Sequence, residues 1–211
     1  MKDYHTHKAA SHGGYLCAVT RADWARVAAE AAETAGTAGE MIPCFGVHPW
    51  HAHEADAAEL AFELDEWLSR YPQACVGESG LDASPAHAGT LEAQRLLLHI
   101  HLGAAFRHER MVQLHGVQAW GELLELLRER ERCGTLPQVL LHAWNGPHEL
   151  AREFLKLGVI FSVGLRELSH SKAAERYARI PENRLFPETD DHPEHWGRTL
   201  ALLRLLRGNL V

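Results

Sequence analysis

Six side chains that commonly bind metal ions lie in or just after short apolar stretches of this 211-residue chain. Imidazole nitrogens and carboxylate oxygens are frequent ligands of divalent ions in proteins. The six are far apart in sequence, so a fold must gather them, and a closed barrel of parallel strands does so because its strands all end on one face. These candidate metal ligands are His5, His7, Glu78, His115, His142 and Asp190.

Four of the six are histidines at the predicted ends of strands. Residues two apart on a strand point to the same face, so His5 and His7 can reach one ion together. Their spacing alone is weak evidence, and a single strand ending in histidine is usually a satisfied core residue. The repetition of that ending at His115 and His142, together with Glu78, is hard to explain by packing.

The acidic candidates have distinct predicted roles. Glu78 ends an apolar strand and is followed by glycines that would let the chain turn, and its two oxygens could bridge two ions. A buried carboxylate needs such a partner. Asp82 suits a supporting role, accepting a hydrogen bond from a ligand's free N–H group. Asp190 could bind metal and orient a water molecule as general base.

His48 has two interpretations that the sequence leaves open. Pro49 holds the residue before it in an extended conformation. The imidazole could then contact a substrate or donate a proton, or it could pack against Trp50.

Strand-like stretches alternate with helix-like stretches along the whole chain, which predicts βα units around a parallel sheet. We expect a single domain over residues 1–211, folded as a compact (β/α)8 TIM-type barrel that is irregular in places, with Pro187 as one such place because proline removes a ladder donor. The predicted strands are 2–5, 15–19, 41–47, 74–78, 111–115, 138–142, 159–163 and 184–188, and the helices 21–35, 54–70, 88–106, 118–132, 147–157, 166–179 and 194–208.

Composition restricts the function classes. The chain is 46% hydrophobic and 23% charged, which is ordinary for a globular protein. Its net charge of −7 argues against a broad basic surface that tracks nucleic acid. No apolar run reaches membrane-spanning length, and the first residues lack an apolar signal core, so we expect no secretory leader. The four cysteines show no paired spacing, which favours reduced thiols and a cytoplasmic location.

Several motifs together resemble the TatD-related metal-dependent deoxyribonuclease family, within the wider class of amidohydrolase-like barrels. They occur in the family's order across nearly the whole chain, and the set is specific although each piece is not. The matching segments are Asp3-Tyr4-His5-Thr6-His7, Gly46-Val47-His48-Pro49, Gly77-Glu78-Ser79-Gly80-Leu81-Asp82, Leu114-His115, residues 142–146, Ser162-Val163-Gly164 and Glu188-Thr189-Asp190.

The resemblance implies a site with two divalent ions, Mg²⁺, Mn²⁺ or Zn²⁺. One ion would be held by His5, His7 and Asp190, the other by His115 and His142, and Glu78 would bridge them. A metal-activated hydroxide would hydrolyse phosphodiester bonds at the 3′ ends of single-stranded DNA. In this scheme Asp190 orients the nucleophile, Glu78 fixes both ions, and His48 binds phosphate or assists the leaving group.

The chain also departs from the family pattern. Val117 stands where relatives often have an arginine, His101 where they favour glutamine, and Lys8 where an apolar residue is usual. These differences leave open a metal-dependent hydrolase of a small phosphoester, an aminoacyl ester or an amide. Histidinol-phosphatase-like barrels, which can end in Asp-x-His as Asp190 and His192 do, and a non-catalytic binding module are further alternatives.

Overall fold

Eight parallel strands form one continuous sheet, and helices connect them on the outside. A computed structural model describes residues 1–208 of the chain. The predicted (β/α)8 barrel is confirmed. The strands are β1 (Asp3–Thr6), β2 (Gly14–Cys17), β3 (Met41–Phe45), β4 (Cys75–Asp82), β5 (Val112–Val117), β6 (Val139–Leu141), β7 (Ile160–Val163) and β8 (Leu185–Pro187).

Each strand pairs with the next in sequence, in parallel register from β1 to β8. The barrel closes between β8 and β1 through an isolated bridge that joins Thr6 and Asp190. Backbone hydrogen bonds from Thr189 and Asp190 to the carbonyl of His5, and from His7 to that of Asp190, complete this closure, which we call the β8–β1 seam. The first and last strands are therefore joined directly beside the candidate metal ligands.

The irregularity expected at Pro187 lies at the seam. The N–H group of Glu188 donates to the carbonyl of Val163 on β7, whereas that of Thr189 donates to His5 on β1. Successive strand residues alternate between their two neighbours, so Pro187 faces β1, where it has no N–H to donate. This missing donor explains why β8 and β1 share only a short contact.

The helices lie outside the sheet and bury one apolar face each. In α2, for example, Leu60, Leu64 and Leu68 recur every four residues and are fully buried. Asp56 caps that helix by accepting hydrogen bonds from the amides of Ala58 and Glu59. The helices are α1 (Trp24–Thr34), α2 (Ala57–Arg70), α3 (Leu91–Arg107), α4 (Trp120–Arg132), α5 (His148–Lys156), α6 (Leu165–Leu168), α7 (Ala173–Tyr177) and α8 (Trp196–Gly208).

Two predicted elements are wrong in their extent by more than the one to three residues by which the bounds of the others differ. The single helix expected over 166–179 is two short helices, α6 and α7. The strand expected to end at Glu78 continues to Asp82. Gly80 has a φ of +144°, and a Cβ there would collide with the carbonyl oxygen of His115. The glycine therefore serves a close approach of β4 to β5, and not the turn that its position in the sequence predicts.

The cysteines agree with the expectation of free thiols. Cys17, Cys44 and Cys75 are buried on neighbouring strands, and Cys133 is exposed. Across residues 1–208, none of the helices is long and apolar enough to cross a membrane. The cytoplasmic location stays a prediction.

Candidate metal centre

Glu78 lies at the middle of a cluster of five histidines in the mouth of the barrel. Its side chain is 1% exposed. Its Oε2 atom is 3.2 Å from Nε2 of His5 and 3.1 Å from Nε2 of His7. Its Oε1 atom is 2.7 Å from Nε2 of His142 and 2.9 Å from Nδ1 of His115. The two carboxylate oxygens thus face two different pairs of histidines.

Asp190 is the sixth residue of the predicted set, and the structure brings it to the edge of the same cluster. Its Oδ1 atom is 3.5 Å from Nε2 of His7, and its side chain is 45% exposed. It lies three residues after β8 and not at the strand end, with a φ of +54°. Aspartate tolerates this left-handed conformation better than most residues.

The donor atoms form three overlapping groups in which all members lie within 4.8 Å of one another. The first group is on the side of Asp190, and the second is on the side of His48. The third shares His5 with the first group and Glu78 with the second. The groups are His5 with His7 and Asp190, His48 with Glu78 and His115, and His5 with Glu78 and His142. The arrangement can therefore hold metal, and Glu78 takes part in two of the groups.

The imidazoles of His5 on β1 and of His7 just after it each have a hydrogen-bond partner on the far side of the ring. The Nδ1 atom of His5 is 2.8 Å from the side-chain oxygen of Gln113, and that of His7 is 2.9 Å from the carbonyl of Cys17. Because an oxygen acceptor fixes the proton on Nδ1, the Nε2 lone pair of each ring is directed at the centre. This is the tautomer that a metal ligand needs.

His115 on β5 and His142 directly after β6 face carboxylates on the far sides of their rings, at longer distances. Nε2 of His115 is 3.7 Å from Oδ2 of Asp82, and Nδ1 of His142 is 3.6 Å from Oε1 of Glu188. Glu188 is itself fixed by Ser162 and by the backbone N–H of Ala143. These carboxylates can orient the rings electrostatically.

The electrostatics of the centre favour positive charge around Glu78. Burial alone would raise the pKa of Glu78, but the positive charges of the surrounding histidines, those of His142 and His5 among them, outweigh it and hold that pKa well below its usual range. Burial would lower the pKa of His5 and His142, but the charge of Glu78 raises the first to about 10 and the second to about 9. Divalent ions would supply the same positive charge and displace these protons.

His48 packs against Trp50 as one interpretation predicted, and its other ring nitrogen faces the centre, while a contact with substrate stays a prediction. Its ring lies 4.7 Å from that of Trp50, and its Nδ1 atom accepts a hydrogen bond from the backbone N–H of that residue. Its Nε2 atom is 3.3 Å from both Oε1 of Glu78 and Nδ1 of His115. Burial lowers the pKa of His48, so the ring is neutral and its Nε2 carries the proton towards the centre.

Three supporting residues were not predicted from the sequence. Gln113 is buried in the barrel beneath His5, Glu188 lies behind His142, and Trp50 donates from Nε1 to Oδ2 of Asp82 at 2.7 Å. A signal existed for Gln113, which precedes His115 by two residues and therefore shares its inward face. No such signal links Trp50 to the buried Asp82, because the two residues are 32 positions apart in the sequence. The ring of Trp50 is itself 46% exposed.

One atom in particular indicates that these residues suit bound divalent ions. Oε2 of Glu78 is fully buried and has no hydrogen-bond partner, although polar atoms in such places are nearly always paired. Two imidazole lone pairs face it, and lone pairs repel one another unless a proton or a cation lies between them. A metal ion in this position would resolve that conflict.

Eight parallel strands around a buried carboxylate and converging imidazoles define a class, the amidohydrolase-like barrels. A family model described as TatD related DNase matches residues 2–199. The chain therefore belongs to the TatD-related DNase family, as its motifs predicted.

Individual relatives agree with this assignment. The chain is 30% identical to a mouse protein called putative deoxyribonuclease TATDN3, over 72% of this chain and 54% of the relative. It is equally similar to human deoxyribonuclease TATDN3, over 72% of this chain and 58% of the relative. The chain thus spans little more than half the length of these curated relatives.

Solved structures match the barrel closely. The crystal structure of YJJV, a TatD homologue from Escherichia coli K12, superimposes with a TM-score of 0.80 at 26% identity, covering 92% of this chain and 78% of that chain. A TatD family hydrolase from Entamoeba histolytica gives a TM-score of 0.66 at 21% identity, covering 84% and 60%. The latter bears on the fold alone.

Proposed function

We propose that this protein is a divalent-metal-dependent phosphodiesterase that removes nucleotides from the 3′ ends of single-stranded DNA. The observation that carries the proposal is the position of Glu78, whose two oxygens face separate pairs of histidines at 2.7 to 3.2 Å. A carboxylate so placed suits a bridge between two ions. The deoxyribonuclease names of the relatives favour DNA as the substrate.

In the proposed centre His5, His7 and Asp190 hold one ion, His115 and His142 hold the other, and Glu78 holds both. Ions of this kind activate water and stabilise the negative charge that develops on a phosphoryl group. The set suits Zn²⁺ or Mn²⁺ by its imidazoles and Mg²⁺ by its carboxylates.

Each remaining residue has one proposed task. Asp190 is the more exposed acid and faces the pocket, so it orients the attacking water and accepts its proton. His48 is neutral with its Nε2 proton directed into the centre, so it donates a hydrogen bond to a phosphate oxygen or to the leaving group. Asp82 keeps the ring of His115 in place and is itself fixed by Trp50.

A second candidate is hydrolysis of a small phosphoester, an aminoacyl ester or an amide by the same centre. The net charge of −7 and the apolar Val117 favour it, because both weaken the hold on a long polyanion. The metal centre and its ligands would be the same.

The experiment compares substrates on one preparation. Purified protein is supplied with Mg²⁺, Mn²⁺ or Zn²⁺ and given linear single-stranded DNA labelled at the 3′ end, circular single-stranded DNA, and a panel of small esters. We expect release of labelled mononucleotides from the linear strand only, and no release by the Glu78→Gln variant. Intact DNA with every ion, together with turnover of a small ester, would establish the second candidate instead.

A further inference from the structure

Two groups of exposed or partly exposed side chains have the same composition, two histidines and one glutamate, but only one group brings its donor atoms together. In the first, His51 and His53 flank Glu54, at 3.1 and 3.9 Å from its Oε1 atom. In the second group, His192 and His195 lie 3.0 and 3.9 Å from Oε1 of Glu194. We call the second group the rim trio.

Only the rim trio brings all of its donors together. Its three ligand atoms lie within 4.8 Å of one another, a criterion that the first group does not meet within residues 1–208. The rings of His192 and His195 stack with centroids 4.8 Å apart. Donors around a tetrahedral zinc ion at about 2.0 Å stand about 3.3 Å from one another, so small side-chain rotations suffice.

The backbone of the rim trio is held by its own hydrogen bonds. The N–H group of His192 donates to the carbonyl of Thr189, and that of His195 donates to the carbonyl of His192. Pro193 opens the short 3-10 turn that carries Glu194 and His195. A site whose backbone is already ordered loses less conformational entropy when an ion binds.

The rim trio also borders the candidate metal centre. His192 and His195 line a cavity of about 330 Å³ whose wall includes Asp190. The same wall carries Glu167, Glu188 and Asp191, so its acids exceed its one arginine, Arg166. An anionic substrate meets repulsion there unless a cation reduces the negative charge.

We propose that His192, Glu194 and His195 form an additional site for a divalent ion of the zinc type, separate from the two ions of the centre. Two imidazoles and one carboxylate suit Zn²⁺ and leave a coordination position open. Because His192 and His195 line the cavity, an ion held by the rim trio would border it and would take an oxygen of a phosphate group next to the one that is cleaved. This second step rests on the proposed function, whereas the binding of the ion does not.

The first test counts ions. Wild-type protein is dialysed against a metal buffer with free Zn²⁺ in the micromolar range, and bound zinc is measured by elemental analysis. We expect the His192→Asn/His195→Asn double variant and the Glu194→Gln variant each to bind one ion fewer than wild type. The matched control, His51→Asn/His53→Asn, keeps the wild-type number. Equal numbers in wild type and both rim variants would overturn the proposal.

The second test measures kinetics on a phosphodiester substrate. Loss of the rim ion should raise KM about tenfold with kcat within twofold, because the contact binds substrate and transition state equally. An unchanged KM in a variant that has lost the ion would overturn the phosphate contact. If no phosphodiester is hydrolysed at all, the proposed function fails, but the ion count still decides the site.

Discussion

The two carboxylates of the metal centre are held in opposite ways. Glu78 lies on β4, a strand of eight residues whose side chains are all buried and which pairs with both β3 and β5. Asp190 follows β8, a strand of three residues that pairs with β7, and it meets β1 only through the bridge and the few backbone hydrogen bonds of the seam. Glu78 and Gln113 form what we call the floor of the centre, and Asp190 with the rim trio forms its rim. The difference teaches that the proposed function assigns the bridge between the ions to a buried, fully paired strand and the orientation of water to an exposed segment with few pairings.

Replacement of the floor carboxylate has the largest expected effect. Glu78→Gln keeps the shape of the side chain but removes the charge that faces all five histidines. We expect loss of both ions and a fall in kcat of about a thousandfold or more, because metal stabilisation of charge is worth several kcal/mol. Bound metal and turnover are measured on protein whose circular dichroism matches wild type. A variant that keeps both ions and the wild-type rate would contradict the bridging role.

Replacement of the rim carboxylate, Asp190, should affect the ion on its own side of the centre and leave the other ion bound. Asp190→Asn removes a ligand from one ion and removes the base that orients water. We expect loss of at most one ion and a fall in kcat of about a hundredfold, within the range of general acid–base effects. Elemental analysis and steady-state kinetics provide the measurement. Loss of both ions here would show that floor and rim are one unit, which breaks the comparison.

Replacement of Gln113, which supports His5, should lower the affinity for the metal ion more than it lowers kcat. Gln113→Leu removes the acceptor that holds the Nδ1 proton of His5. Partners of this kind contribute about tenfold to a hundredfold in metal affinity. Isothermal titration with Mn²⁺ or Zn²⁺ gives the affinity, and Gln138→Leu, at an exposed glutamine at the start of β6, is the control. An affinity equal to wild type would remove Gln113 from the floor.

The smallest expected effect is the contribution of His101 to the pH dependence of the protein's stability. His101 is fully buried, donates from Nδ1 to the carbonyl of Leu97 and accepts at Nε2 from the N–H of Val47. Burial lowers its pKa to about 4, below the value near 6.5 of an unfolded chain. The unfolded state therefore binds a proton that the folded state rejects, so stability falls as pH drops from 6.5 towards 4.

The matched variant His101→Gln has no proton to gain. Between about pH 7 and about pH 5, wild type should lose about 2 kcal/mol more stability than this variant. Urea unfolding of both proteins at the two pH values measures the difference. Identical losses would mean that His101 is protonated inside the fold.

Of the floor, the sequence predicted Glu78 but not Gln113, because the signals that it carries are local. Strand alternation and the strand-ending histidines predicted the barrel, and the motif around Glu78 predicted an acid that the structure places at the middle of the histidine cluster. The limits came from contacts between distant segments. The extension of β4 depends on a close approach to His115, and the partner of Asp82 is Trp50, 32 residues earlier. Helix periodicity likewise continued through the break between α6 and α7.

The rim was harder to predict for the same reason. Asp190 was identified, but its place beyond the end of β8 depends on the seam, which joins residues more than 180 positions apart. Glu188 was visible only as one acid among several, since its role comes from Ser162 and His142 on other strands.

A metal ion bound beside the β8–β1 seam would also strengthen the closure of the barrel. His5 belongs to the first strand, His7 follows it directly, and Asp190 belongs to the segment after the last strand, so an ion held by all three would fasten the two ends of the sheet to each other. Removal of that ion by a chelator would then weaken the closure of the barrel at the seam and nowhere else. Backbone amides of β1 and of residues 188–190 should exchange hydrogen faster, while those of β4 stay protected.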